Sequence, residues 1–138
     1  MNTSTIICQQ VAENQRLSHT EKLFGLHFPM AIEPTVYTFA DHLAKDYHGG
    51  YWHFYTLSNG GFYMAPMADN PFQVSCDNGY EGSLSVDAFG LVCCLYAYSH
   101  LSFSSQPALS NLCTTQFHDL RDYALDHAES SAILAAID

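Results

Sequence analysis

Basic side chains are scarce in this sequence: Arg16, Lys22, Lys45 and Arg121 are the only four in 138 residues. Proteins that grip nucleic acid directly use a stripe of Lys and Arg to displace counterions from phosphates. Four scattered cations supply no such stripe, so direct nucleic-acid binding is not expected. Fourteen acids set the formal charge at −10. That count also argues against imitation of DNA. A duplex carries one charge per ~1.7 Å of axis, so ten base pairs need on the order of 20 ordered negative charges. Fourteen acids spread along a whole domain, partly offset by the four cations, fall short. The default reading of the charge is solubility.

Long apolar runs are also missing. The longest, Ala88 to Leu101, is too short and interrupted to span a bilayer, so no membrane partner is expected. No positive charge precedes Arg16 and no apolar segment of signal-peptide type stands near the start. The five cysteines, Cys8, Cys76, Cys93, Cys94 and Cys113, are odd in number and form no Cys-x-x-Cys pair. They read as reduced residues of a cytoplasmic protein. There is no His-Glu-x-x-His, no Cys/His quartet, no phosphate-binding glycine motif and no Gly-x-Ser-x-Gly. Of the eight histidines, His118 makes the best metal pair, with Asp122 one helical turn away on a solvated acidic face. Cys8 or Cys76 with a histidine can be drawn as nucleophile and base, but no local signature joins them. The expectation is a non-enzyme without cofactor.

What the chain does have is a concentrated aromatic stretch, Gly49 to Pro66, holding the single tryptophan and five other aromatic residues. Asn59-Gly60 between the two aromatic runs predicts a β-hairpin with a two-residue type I′ loop. That register pairs Leu57 with Phe62, Thr56 with Tyr63 and Tyr55 with Met64. It places Leu57, Tyr55, Phe62 and Met64 on one face and Trp52, Phe54, Tyr63 and Ala65 on the other. Both faces are apolar, so the hairpin is expected to be covered on both sides. Pro66, lacking an N–H, ends the ladder. Trp52, Phe54 and Tyr63 are expected in the core rather than stacking bases, since no Lys or Arg accompanies them.

Elsewhere, residues 1–16 read as a short helix or a loose arm. Ser18-His19-Thr20-Glu21 fits a capping box opening a helix that carries Leu23, Phe24, Leu26 and His27 up to about Phe28 and is stopped by Pro29. A second helix runs from Thr35, with Val36, Phe39, Ala40, Leu43 and Tyr47 inside, to Gly49-Gly50. Phe72, Val74 and Cys76 alternate as a third strand, followed by a loop through Gly82. From Val86 to Leu101 nearly every residue is apolar. Ser85 as N-cap and Asp87 in the first turn mark this as a central buried helix. Leu109 to His127 and Ser131 to Ile137 follow as helices. The fold class is α+β: a small antiparallel three-stranded meander packed against several helices, in one domain over 1–138.

The Gly49–Pro66 stretch resembles, almost residue for residue, the signature of antirestriction proteins of the ArdB/KlcA type, carried by plasmids and genomic islands. Gly49, Gly50, Tyr51, Trp52, Phe54, Tyr55, Asn59, Gly60, Gly61, Phe62, Tyr63 and Pro66 carry that resemblance. Leu-Phe-Gly-Leu-His-Phe (23–28), Leu-Arg-Asp-Tyr-Ala (120–124) and Ala-Ala-Ile-Asp (135–138) match the same family in the same order. The family pattern often has an acidic residue where this chain has His53, and no role is given to His53. The resemblance implies a protein made by a mobile element that spares incoming unmodified DNA from the host's type I restriction-modification complex. It implies action on that complex, directly or indirectly, without imitation of DNA. The alternatives are an acidic DNA mimic and a metal-dependent hydrolase. Candidate partner-contact residues are the acids Asp119, Asp122 and Asp126 of the penultimate helix and Asp138, which could steer toward a basic surface.

Overall fold

The computed structural model describes residues 5–138. The elements are β1 (Cys8–Gln10), α1 (Arg16–Phe24), α2 (Glu33–Leu43), β2 (Trp52–Leu57), β3 (Phe62–Pro66), β4 (Phe72–Ser75), β5 (Glu81–Leu84), α3 (Val86–Leu101), α4 (Pro107–Leu125) and α5 (Ser130–Ile137). A 3-10 turn (Glu13–Gln15) precedes α1, and a π-helical segment (Phe28–Ile32) leads into α2. Helices α2, α4 and α5 and strand β3 surround α3, which supplies the middle of one contiguous apolar core.

Helix α3 holds its expected bounds. The Ser85 hydroxyl accepts the Ala88 N–H at 3.1 Å, as an N-cap should. Ten of its sixteen residues are buried, so it needs neighbours on most of its circumference. Gly90 lets it lie directly on β3, because a Cβ there would stand 2.5 Å from both the Ala65 Cβ and the Met64 carbonyl oxygen. The Tyr98 hydroxyl, fully buried, donates to the Phe62 carbonyl at 2.8 Å and ties the far end of the helix to the same strand.

The antiparallel meander is present, in the order β1-β2-β3. Its third strand is not Phe72–Cys76, however, but the N-terminal Cys8–Gln10, read above as part of a helix or loose arm. Residues 1–4 of that expected arm lie outside the described residues. Phe72–Ser75 instead pairs with β5 in a separate two-stranded sheet, across a loop closed by Cys76 N–H to Tyr80 oxygen at 2.8 Å. Strand β5, Glu-Gly-Ser-Leu, carries residues depleted from strands, and it takes in Gly82, the end of the expected loop.

The hairpin strands fall where expected, but the register is shifted by one. Thr56 faces Phe62, Tyr55 faces Tyr63 and Phe54 faces Met64. The loop is the three residues Ser58, Asn59 and Gly60, bracketed by Leu57 N–H to Gly61 oxygen (2.9 Å) and Gly60 N–H to Leu57 oxygen (3.0 Å). Only Gly60 takes a positive φ, +95°, and Asn59 does not, which excludes type I′. A three-residue loop ending in a left-handed glycine is the next commonest hairpin solution. The slip exchanges the faces. Trp52, Phe54, Phe62 and Met64 share one side, and Tyr55, Tyr63, His53 and Ala65 the other. Strand β3 is buried throughout, whereas His53 and Tyr55 of β2 are half-buried. After Pro66 one more bond follows, Met67 N–H to Tyr51 oxygen at 2.8 Å.

The first helix also departs from expectation. It begins at Arg16, with Gln15 at its N-cap making no side-chain bond, so Ser18 to Glu21 lie inside it. The Thr20 hydroxyl bonds back to the carbonyls of Arg16 (3.0 Å) and Leu17 (3.3 Å). Gly25, at φ +59° and ψ −141°, ends α1, and Pro29 does not stop a helix but sits in the first turn of the π segment. Past the Gly25 turn, Leu26, expected within this helix, stands in solvent. Helix α2 starts at Glu33 and stops at Leu43, shorter at its end than expected.

Candidate functional site

Three places hold chemistry or exposed recognition surface. The first is the acidic face of α4. Asp122 and Asp126 are exposed, and Asp138 is exposed at the end of α5. Asp119 is half-buried rather than free, lying under the hairpin tip, where its backbone oxygen accepts the Asn59 amide at 2.9 Å. Burial, then the neighbouring Asp122, pushes the Asp119 carboxyl above its ordinary range. Beside it Gln116, expected on no list of core residues, is buried. Its amide accepts the Phe62 N–H at 2.9 Å and donates to the Gly60 carbonyl at 3.0 Å. This part of α4 holds the hairpin loop in place.

The second is a polar hub between β3, α3 and the α4–α5 junction. The Tyr63 hydroxyl donates to Asp87 Oδ1 at 2.7 Å, and His127 Nε2 contacts Asp87 Oδ2 at 2.8 Å. The Glu129 N–H donates to His127 Nδ1 at 3.0 Å, so Nδ1 carries no proton and Nε2 is the donor. Glu129 in turn accepts the Ser85 N–H at 3.0 Å and the Ser85 hydroxyl. Cys8 Sγ lies 3.6 Å from the Tyr63 hydroxyl. Tyr55, Tyr63 and Tyr123 stack in a column, with centroids 4.8 and 5.9 Å apart. Burial, reinforced by Asp87, drives the Tyr63 hydroxyl far upward, and burial lifts Tyr123 to about 12. Both ring nitrogens of His127 are committed, and the polar neighbour of Cys8 is a phenol rather than an imidazole. The arrangement therefore ties β3 and α3 to the α4–α5 junction, and it does not set His127 as a base beside Cys8. Sequence spacing concealed it, since Asp87 and His127 are forty positions apart.

The third is a groove of about 830 Å³ between α1, the π segment and the start of β2. The Arg16 guanidinium forms part of its floor, 3.7 Å above the Phe54 ring and 4.8 Å from that of Tyr51. Among the described residues no Arg or Lys lies within ion-pair distance of a carboxylate, the only such contacts being those of His42 with Asp77 and His127 with Asp87, so Arg16 is held by rings rather than by a carboxylate. Leu17 and Leu26, which line it, are 86 and 79% exposed, and Met30, next in the chain to the lining Pro29, is 78% exposed. Lone exposed apolar residues are ordinary, but two this exposed lining one concave surface, with a third following in the chain, are not. Among the described residues no three His, Cys, Asp or Glu side chains are arranged to hold a metal ion. His118 is exposed with its ring against Phe117.

The family model described as "Antirestriction protein" matches residues 45–138. The chain is 41% identical over 139 residues to the antirestriction protein KlcA of Escherichia coli, covering 98% of this chain and 95% of that one. A second E. coli KlcA is 39% identical over the full length of both chains. The chain belongs to the antirestriction protein family. A solved structure matches all of it at 39% identity and a TM-score of 0.90. That structure comes from work describing KlcA and ArdB as having a novel fold and antirestriction activity against type I DNA restriction systems in vivo but not in vitro.

Much of the Gly49–Pro66 stretch is packed into the fold. Trp52, Phe54, Phe62 and Tyr63 are buried, with Trp52 Nε1 donating to the Tyr47 hydroxyl at 2.9 Å. Gly49 and Gly50 take φ of +87° and +121°, and the Asn59 amide oxygen accepts the Gly61 N–H at 3.0 Å. Tyr51 is the exception, being 40% exposed and lining the groove. His53 is half-buried, its ring against Tyr51 and its Nδ1 3.2 Å from the Gln10 amide. No described helix is long and apolar enough to cross a membrane.

Proposed function

We propose that this protein, working in the cytoplasm of a bacterial host, protects incoming mobile-element DNA by acting on the type I restriction-modification complex through protein contact rather than as a DNA mimic. The observation that carries this reading is the charge distribution. Of fourteen acids, at least five are engaged within the fold: Glu33 with Tyr37, Asp46 with the Gln73 N–H, Asp77 with His42, Asp87 with Tyr63 and His127, and Glu129 with Ser85. The remainder fall well short of the on the order of 20 charges that ten base pairs present. The activity described for KlcA and ArdB in vivo but not in vitro fits an inhibitor that needs more than purified enzyme and DNA. A competitor for the DNA-binding groove needs nothing else.

The test is co-purification of the tagged protein with restriction subunits from restricting cells, detected by immunoblot, with and without DNA and ATP. Association in at least one of these states is expected, stronger with the translocating enzyme. Association that DNA abolishes in steeply salt-dependent fashion would instead support mimicry, and none in any state would contradict direct contact.

A further inference from the structure

The proposed protein contact requires a surface, and the groove beside α1 is better suited to it than the acidic face of α4. Asp119 is drawn under the hairpin tip and Gln116 is spent on the loop, so part of that face is already occupied by the fold. Around the groove, by contrast, large apolar side chains stand clear of the core. Leu17 projects from α1, Leu26 from the turn at Gly25 and Met30 from the π segment, each more than three-quarters exposed. Interruptions of helical regularity of this kind are frequent at functional sites. A small-molecule site encloses most of its ligand. Here the lining Leu17 and Leu26 are more than three-quarters exposed, so an occupant is only partly enclosed, as a helix laid in a groove through its apolar anchors is.

Charge selects the occupant. The groove is edged by Glu13, Glu21 and Glu33, the last also accepting the Tyr37 hydroxyl, while its one cation, Arg16, is turned down over the Phe54 and Tyr51 rings. A second copy of this chain would bring another −10 and carboxylates of the same sign to the rim. We propose that the groove seats an amphipathic helix of the partner protein, with Leu, Met or Phe anchors against Leu17, Leu26 and Met30 and flanking Lys or Arg beside the three glutamates. This rests on the reading that the protein acts by protein contact, and it names where.

The test uses the full chain and the variants L26S/M30S and L17S/L26S/M30S. All three positions are exposed, so unchanged melting temperatures are expected. In one arm, unmodified phage is plated on a type I restricting host expressing each protein. Protection should fall about tenfold or more in the groove variants, as on losing anchor contacts. In the other arm, binding of an amphipathic Leu/Lys helical peptide is titrated against a Leu/Glu peptide of the same pattern. The parent should bind the Leu/Lys peptide, more weakly as salt rises, and the groove variants should bind about tenfold more weakly or worse. Full protection by the triple variant overturns the proposal, as does equal peptide binding by parent and variant or equal binding of the Leu/Glu peptide. Sedimentation that finds a dimer broken by L26S/M30S gives the groove to a second copy and also overturns it. If the parent itself fails to protect, the functional reading falls, and the peptide arm still decides the groove.

Discussion

The Asp87 hub and the Arg16 groove show opposite relations between chemical appearance and use. The hub assembles a carboxylate, an imidazole, a phenol and a thiol, the residue types from which active sites are built. Yet His127 has no free nitrogen, and the hydrogen bonds close on one another across β3, α3 and the α4–α5 junction. The groove has one cation on two rings and, lining or adjoining it, three apolar residues in water, satisfied by nothing in the fold. Groups whose partners are already present hold a fold together. Groups left without partners are where a fold meets something else.

Several variants sharpen that contrast, beginning with the largest effect. Trp52→Ala should cost about 3–5 kcal/mol, measured by urea denaturation, because it empties a fully buried site and orphans the Tyr47 hydroxyl. Asp87→Ala should cost about 1–3 kcal/mol, since it leaves the Tyr63 hydroxyl and His127 without their acceptor. Protection should then fall only as far as the folded fraction does. If Asp87→Asn abolished protection at an unchanged melting temperature, the hub would be a chemical site and the contrast would collapse.

Alkaline titration tests the hub and core together. Burial raises the hydroxyls of Tyr63 and Tyr98 above their ordinary value of 10.0, so the unfolded chain ionises first. Their stabilising contribution is whole below pH 10 and is lost as pH climbs toward the folded-state values. Denaturation midpoints should therefore fall steadily above pH 10, and a flat profile would mean the phenols are hydrated in the fold.

On the groove side, the triple serine variant should shift stability by no more than about 0.5 kcal/mol. The smallest effect belongs to Asp119. Its carboxyl is raised in the fold, so whatever it contributes is present below pH 3.8 and lost as pH rises through the folded value. Asp119→Asn should be slightly more stable than the parent at neutral pH, by a few tenths of a kcal/mol at most after solvent screening. The difference should vanish in acid.

Helix α3 was legible in the sequence because an all-apolar helix behind a Ser cap has few other readings. The hairpin strands were legible too, but Asn59-Gly60 serves a two-residue and a three-residue loop alike, and only packing chooses between them. Strand β1 has three residues, Cys-Gln-Gln, with no alternation to read, and β5 carries Gly and Ser where strands prefer branched residues. With neither β1 nor β5 marked in the sequence, the hairpin is the one visible partner for Phe72–Ser75, whereas the fold pairs it with β5 and gives the hairpin edge to β1. The groove was illegible for a related reason. Leu26 has the right spacing for a buried helical position, and only the backbone turn at Gly25 sends it outward. The acids of α4, conspicuous in sequence, proved to include one that the hairpin claims.

The most direct test of the central claim is to follow cleavage and methylation together when unmodified phage infects a type I restricting host with and without this protein. Inhibition by protein contact predicts that cleavage falls while surviving phage DNA still acquires host methylation. Parallel loss of methylation, as expected when the DNA-binding groove itself is filled, would contradict the account.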